Sequence, residues 1–131
     1  NGKHLVGDYQ SGNIYELASD EYTDNGNPLV SVRIGPHVCN KDSLNNIFIH
    51  RLMIDAERGI SDPSLGFDPK MDLSWSENGG KTWSNEYLAS LGTWGNYNRA
   101  IWWGLGCYES FIPRVMISDP VKRVIVGCYM E

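Results

Sequence analysis

Short apolar stretches that alternate with polar residues recur along this chain, and turn-forming residues separate them. Residues 4–9 and 13–17 flank a Gln-Ser-Gly turn, which predicts a β-hairpin. Further strands are predicted at residues 29–34, 47–58, 71–76, 81–89, 98–103, 113–118 and 122–129. Prolines and a glycine within residues 61–70 exclude a strand interior there. This spacing predicts an all-β fold of about nine to ten short antiparallel strands, either a sandwich or the blades of a propeller.

The longest apolar stretch, residues 47–58, has features of both a strand and a helix. At a period of two, one face carries Phe48, His50, Leu52 and Ile54, and the other carries Ile47, Ile49, Arg51, Met53 and Asp55. Its β-branched and aromatic residues favour a strand. A helix stays an alternative because the tail, Met-Ile-Asp-Ala-Glu-Arg, contains good helix formers.

Composition narrows the class of protein. The chain has 131 residues, of which 41% are hydrophobic and 21% charged, as in a globular domain. Its net charge of −5 argues against gripping a phosphate backbone, so no sequence-specific nucleic-acid contact is expected. The sequence contains no run of about 18 apolar residues, so no membrane-spanning helix is predicted. The chain begins with Asn1 rather than Met, and we expect residues 1–131 to be a single domain of a longer protein.

The cysteines predict neither a disulfide framework nor a metal site. Cys39, Cys107 and Cys128 are odd in number and lack a Cys-x-x-Cys spacing, so free thiols are expected. His37 precedes Cys39 by two residues, but a second ligand pair is missing, and no metal or cofactor is predicted. A nucleophile formed by Cys39 or Cys107 with His50 stays an alternative.

An oxygen-rich loop contains Asp20, Glu21, Asp24 and Asn25. Its spacing matches no EF-hand, and it is expected to be a solvated turn.

The most informative local pattern is SENGGKTW at residues 76–83, which fits Ser-x-Asp/Asn-x-Gly-x-Thr-Trp. It resembles the Asp-box of sialidases and related β-propellers. The Asn side chain can accept backbone N–H bonds, and the two glycines allow left-handed φ values. The threonine is expected to begin the returning strand, and the tryptophan to cover the hairpin. A structural rather than catalytic role is predicted for Ser76, Asn78, Gly79, Gly80, Thr82 and Trp83.

A carbohydrate-binding or glycosidase-like β-propeller module is the alternative that this motif raises. The six arginines are scattered and share no motif, so the arginine cluster of a sialidase is not assembled in the sequence. Asp72 and Glu77 are the carboxylates nearest the turn that a glycosidase could use. No enzymatic activity is predicted.

Five tryptophans offer either core packing or a binding surface: Trp75, Trp83, Trp94, Trp102 and Trp103. Strand alternation predicts that one ring of the Trp102-Trp103 pair points outward. Together with Arg99, this pair is a candidate protein interface. Core packing is expected for most of the rings, and a sugar-stacking platform stays an alternative.

A wider resemblance covers nearly the whole chain in order. It is carried by GDY…GNIYEL…YTDNG near the start, then by WSENGGKTWS, and finally by ISDP. In these motifs the chain is similar to the C-terminal region of the packaged-DNA stabilisation proteins, or tail accessory factors, of short-tailed phages and related prophages. One departure is residues 95–111, GNYNRAIWWGLGCYESF, which keep only Arg99 where a more basic stretch is expected.

The resemblance implies a non-enzymatic structural protein of the virion tail, made in the bacterial host cytoplasm. Such proteins close the portal vertex after DNA packaging, as a hexameric ring below the adapter ring protein. They mount the tail needle, and the tailspikes attach nearby. By this resemblance the chain is the C-terminal part of such a subunit.

Overall fold

A computed structural model describes residues 2–41 and 45–131. The strands are β1 (Leu5–Gly7), β2 (Ile14–Glu16), β3 (Thr23–Asp24), β4 (Asn27–Pro28), β5 (Ser31–Ile34), β6 (Ile47–Ala56), β7 (Lys70–Ser76), β8 (Tyr87–Ser90), β9 (Ala100–Tyr108), β10 (Ile112–Ile117) and β11 (Ile125–Met130). A 3₁₀ turn occupies Pro63–Leu65, and the described ranges hold no α-helix. Neighbouring strands pair antiparallel, so the predicted all-β fold is confirmed.

Two sheets face each other as a sandwich. One has four strands in the order β5-β10-β7-β8, and the other has three in the order β11-β6-β9. The hairpin β1–β2 and the small ribbon β3–β4 form separate two-stranded sheets. Of the two arrangements that the strand spacing allowed, the sandwich is therefore the one adopted.

The core lies between the two sheets. It comprises Ile49, Leu52, Ile54, Met71, Leu73, Trp75, Leu91, Ala100, Trp102, Leu105, Phe111, Val115, Ile117 and Val121. Alternation in β7 and β10 sends every second side chain inward, as the sequence pattern requires. Burying apolar surface from both sheets is the main force that holds them together.

A bulge in β6 corrects the predicted faces of that strand. The backbone N–H groups of His50 and Arg51 both donate to the carbonyl of Glu131, at 2.7 and 3.1 Å. His50 and Arg51 of β6 thus lie opposite the single residue Glu131, which is the pattern of a β-bulge. At the same place the register of β6 with β9 shifts, between Ile49 and Arg51. Ile49 is consequently buried on the same side as Leu52, although a strict period of two placed them on opposite faces. The strand prediction itself was right, and the helix alternative is excluded.

Two other local predictions need correction. Residues 81–89 were expected to be a strand, but β8 covers only Tyr87–Ser90. The polar loop at residues 19–28 contains the ribbon β3–β4, which turns at Asn25 and Gly26 with φ values of 48° and 82°. Asparagine and glycine are the residues that adopt such left-handed conformations most readily.

The N-terminal hairpin packs little of its apolar surface. Leu5, Ile14 and Leu17 are each more than 60% exposed. Arg123 ties the loop that follows the hairpin to the sandwich, because its guanidinium donates to the carbonyls of Tyr22 and Asp119 at 3.4 and 2.8 Å. The buried core therefore lies in the sandwich and not in the hairpin.

Truncation of a leucine is expected to destabilise the protein when the leucine is buried, and not merely because it lies on a strand. Leu73→Ala, in the fully buried centre of β7, should lower the free energy of unfolding by about 2–5 kcal/mol. Leu88→Ala on the neighbouring strand β8 is the control, since that side chain is 64% exposed and should lose less than about 0.5 kcal/mol. Urea unfolding measures both, and equal losses would contradict the assignment of the core.

Candidate functional site

The glycine turn after β7 is organised around Ser76. This side chain is 1% exposed, and its hydroxyl oxygen accepts the backbone N–H of Gly80 at 2.9 Å and that of Asn78 at 3.3 Å. The same hydroxyl donates to Oδ1 of Asn78 at 3.0 Å. One buried serine therefore bonds to three polar groups of the turn.

Asn78 closes the other half of the turn. Its Oδ1 accepts the backbone N–H of Thr82 at 2.9 Å, and its Nδ2 donates to the Thr82 hydroxyl at 2.7 Å. Gly79 and Gly80 have φ values of 73° and 88°, which a residue with a Cβ adopts only under strain. The turn is thus stabilised by its own side chains. Its descent from the Asp-box stays a prediction.

Trp83 covers an arginine on the outer face of the four-stranded sheet. Its ring is half-buried, and the guanidinium carbon of Arg114 lies 4.3 Å from the ring centroid. Nε of Arg114 also donates to the hydroxyl of Ser74 at 2.9 Å. Thr82 does not begin a strand, because β8 starts only at Tyr87, so that expectation was wrong. The sequence did not indicate that Trp83 packs on Arg114, because the two residues lie far apart along the chain.

The candidate carboxylates Asp72 and Glu77 are not brought together. Asp72 lies near the start of β7, and Glu77 follows its last residue, Ser76. Four residues of extended strand already separate Asp72 from Ser76 by about 13 Å. Glycosidase carboxyl pairs are about 5–9.5 Å apart. The geometry therefore does not form such a pair.

Asp72 is instead surrounded by acids. Partial burial raises the pKa of Asp72 above its ordinary value, and the carboxylates of Glu86 and Asp119 raise it further. Asp68, two residues before the start of β7, behaves in the opposite way. A hydrogen bond of 2.6 Å from the Ser90 hydroxyl lowers the pKa of Asp68.

The two adjacent tryptophans of β9 have different fates. Trp102 is 6% exposed, and its indole N–H donates to the carbonyl of Tyr87 at 2.8 Å, so it belongs to the core rather than to an interface. Trp103 is 67% exposed, with the guanidinium carbon of Arg51 at 5.2 Å from its ring. Arg99 is also exposed, just before β9. The predicted outward ring is therefore Trp103.

Trp103 lies on an outer sheet face that carries further aromatic side chains. Arg51 pairs across from Trp103, and Tyr129 pairs across from Met53 two residues along β6, which places them on one face. Phe48 and Tyr129 are 70% and 57% exposed. Neither ring was predicted to be exposed from the sequence, although positions in alternating strands are a signal of outward rings.

The remaining tryptophans do not form a shared platform. Trp75 is in the core, where its ring lies 5.1 Å from that of Tyr87 and 5.9 Å from that of Phe111. Trp94 is exposed in the loop after β8. Since Trp75 and Trp102 are buried, a sugar-stacking surface built from all five rings is excluded.

Metal-binding and nucleophilic groups are sparse in the described ranges. No three His, Cys, Asp or Glu side chains gather there as a metal ion would require. The three cysteines are free, and within the same ranges no hydrogen bond joins His50 to a cysteine. An unforeseen pair is His37 and Ser110, whose Nε2 and Oγ atoms lie 2.7 Å apart. No carboxylate bonds to His37 in the described part, so the pair lacks the orienting group of a catalytic triad.

No helix in residues 2–41 and 45–131 is long and apolar enough to cross a membrane.

A known family matches most of this chain. The family model described as bacteriophage P22 Gp10, β-sandwich, matches residues 33–131, about three quarters of the chain. The matched residues contain the second half of β5 and all the other strands of the two large sheets. No curated protein matches the chain.

Removing the Ser76 hydroxyl is expected to weaken the turn measurably. Ser76→Ala leaves the N–H of Gly80 without its acceptor and should lower the free energy of unfolding by about 1–3 kcal/mol. Ser64→Ala, at an exposed serine that bonds only through its backbone N–H, should change it by less than about 0.5 kcal/mol. Thermal and urea unfolding give both values. A harmless Ser76→Ala would show that the turn does not depend on this hydroxyl.

Partial burial and the neighbouring carboxylates of Asp72 predict that removing its charge will stabilise the protein at neutral pH. A native pKa raised above the unfolded value penalises the charged carboxylate once the pH exceeds both values. Asp72→Asn should therefore raise the melting temperature near pH 7, and this gain should vanish below the unfolded pKa of about 3.9.

Asp68→Asn is the control of opposite sign. Its lowered pKa contributes stability that is present above about pH 3.9 and is lost as the pH falls through the native value. This variant should melt lower than the parent near pH 7, with the difference shrinking in acid. Melting curves between about pH 3 and pH 7 test both variants, and parallel curves for the two would refute the assignment.

Proposed function

Because this chain belongs to the bacteriophage P22 Gp10 β-sandwich family, we propose that it is a structural protein of a phage tail hub, with its place in the virion. Its proposed work is to close the portal vertex after DNA packaging. The adapter ring protein, the tail needle and the tailspikes are the proposed partners. A ring of six copies is the proposed assembly, and catalysis is not part of the role.

The observation that carries the proposal is the outer face of the three-stranded sheet. Phe48, Trp103 and Tyr129 are exposed on β6, β9 and β11 of one sheet. Aromatic residues and arginine are enriched at protein interfaces, and Arg51 lies beside Trp103. A rigid sheet that presents large rings in this way suits a component that works by contact with other proteins.

The rest of the surface supports a passive role. The polar residues of the glycine turn bond to one another, so they are occupied in shaping the turn. The carboxylates that a glycosidase would need lie apart along β7 and the turn. The carbohydrate-binding alternative is left with isolated exposed rings, and it predicts saturable glycan binding or turnover of a fluorogenic sialoside.

Composition of virus particles tests the proposal directly. Particles of the encoding phage or induced prophage should contain peptides of this chain in a fixed ratio to the portal protein. Particles isolated before DNA packaging should lack them, because the proposed role is closure after packaging. Mass spectrometry of both preparations gives the answer, and absence from DNA-filled particles would overturn the proposal.

Loss of an exposed tryptophan from the outer sheet face is expected to impair incorporation into particles more than loss of one from a loop. Trp103→Ser in the full subunit should reduce incorporation into particles at least about tenfold, as loss of an interface anchor does. Trp94→Ser is the matched control, since Trp94 is 61% exposed against 67% for Trp103 but lies in a loop. Incorporation is measured by quantitative mass spectrometry of purified particles. Equal effects of the two changes would rule out this face as the assembly surface.

A further inference from the structure

One flank of the sandwich, between the edge strands β5 and β11, is open. A groove of about 190 Å³ enters the core there, with Ile54 and Val115 among the residues that line it. Ile125, Cys128 and Arg33 also line this groove. It continues along the same flank into a shallower depression of about 390 Å³. Ile54 and Val115 of the core therefore form part of the groove wall, although they are only 4% and 5% exposed.

The sequence of the two edge strands explains why the flank stays open. Across from Val115 and Ile117 of β10, β5 places Arg33 and Ser31, so its inward positions are polar. In β11 the register shifts between Ile125 and Gly127, which interrupts the alternation. β5 therefore supplies no large apolar side chain at these two positions, and Ile125 of β11 does not fill the gap alone.

The charge of the groove is opposite to that of the chain. Arg33 is the charged residue that lines the deeper groove, and Arg123 joins it in the continuation, whereas no carboxylate lines either part. The chain as a whole carries −5. Within the described ranges the side chain of Arg33 makes no ion pair or hydrogen bond. Arg123 donates through a terminal nitrogen to the carbonyls of Tyr22 and Asp119, but its Nε is buried without a partner in the same ranges. A cationic group at the mouth of an apolar groove suits an occupant that is apolar and anionic.

The backbone of the flank suits an extended occupant. Both β5 and β11 are edges of their sheets, so among the described residues one side of each strand has no neighbouring strand. Such edges accept an added strand, whose main chain bonds to the edge while alternate side chains enter pockets. A volume of about 150 Å³ is enough for benzene, so the deeper groove has room for one large apolar side chain.

We propose that this groove docks an extended segment of a partner protein, with an apolar side chain entering between Ile54 and Val115 and a neighbouring carboxylate pairing with Arg33. Partial burial raises the pKa of the Cys128 thiol, consistent with its position at the groove. The inference extends the proposed assembly role by giving the chemistry of one partner. The two can fail separately, because a binding test on this chain needs no virus particle.

Peptide titration of the methyl-labelled chain tests the proposal. A short peptide that alternates valine and glutamate should shift the methyl signals of Ile54, Val115 and Ile125 in a saturable way. A peptide that alternates valine and lysine, and one that alternates serine and glutamate, should not do so. Arg33→Gln should weaken binding of the valine–glutamate peptide about tenfold by removing the charged bond.

A groove-filling substitution keeps the test independent of charge. Cys128→Phe should abolish binding, whereas Cys128→Ser, the matched control at the same position, should retain it. An unchanged amide spectrum establishes that each variant is folded.

Three results would overturn the proposal. The first is no saturable shift at millimolar peptide, and the second is equal binding of the lysine peptide. The third is concentration-dependent self-association of the chain that Arg33→Gln and Cys128→Phe both abolish, which would make the occupant a second copy of the chain.

Discussion

Burial of one apolar face of each sheet against the other determines which surfaces of this protein are left for function. On one flank the closure is completed by Trp102 of β9, whose indole bonds to the carbonyl of Tyr87 in β8 and so joins the two sheets. On the opposite flank, beside Arg33 of β5 and the register shift in β11, a groove borders the core. The sandwich is therefore asymmetric, with one closed and one open flank.

The same constraint separates residues that look equivalent in the sequence. Trp102 and Trp103 are adjacent, yet alternation in β9 sends one into the core and leaves the other on the outer face beside Arg51. The outer face then carries the rings proposed to contact other virion proteins. The open flank differs in chemistry, because its apolar groove is lined by Arg33 and, in its continuation, by Arg123. Two surfaces of different character are thus available to two kinds of contact.

The glycine turn contributes to this arrangement by fixing one end of β7. Its polar side chains bond to one another rather than to solvent-facing partners, and Trp83 covers Arg114 on the sheet. A turn that is internally bonded has little left with which to bind a substrate. Its sequence pattern is therefore informative about local shape, while the family relationship rests on the match over residues 33–131.

Sequence by itself determined the all-β class, most strand positions, the left-handed turn at Asn25 and Gly26, and the outward ring in β9. These features depend on alternation and turn chemistry, which act between residues close in the chain. Only the tertiary structure decided the bulge that buries Ile49, the pairing of Trp83 with Arg114, and the open flank at Arg33. Each of those depends on residues far apart in sequence, such as Glu131 opposite His50, and local periodicity carries no information on which distant strands become neighbours.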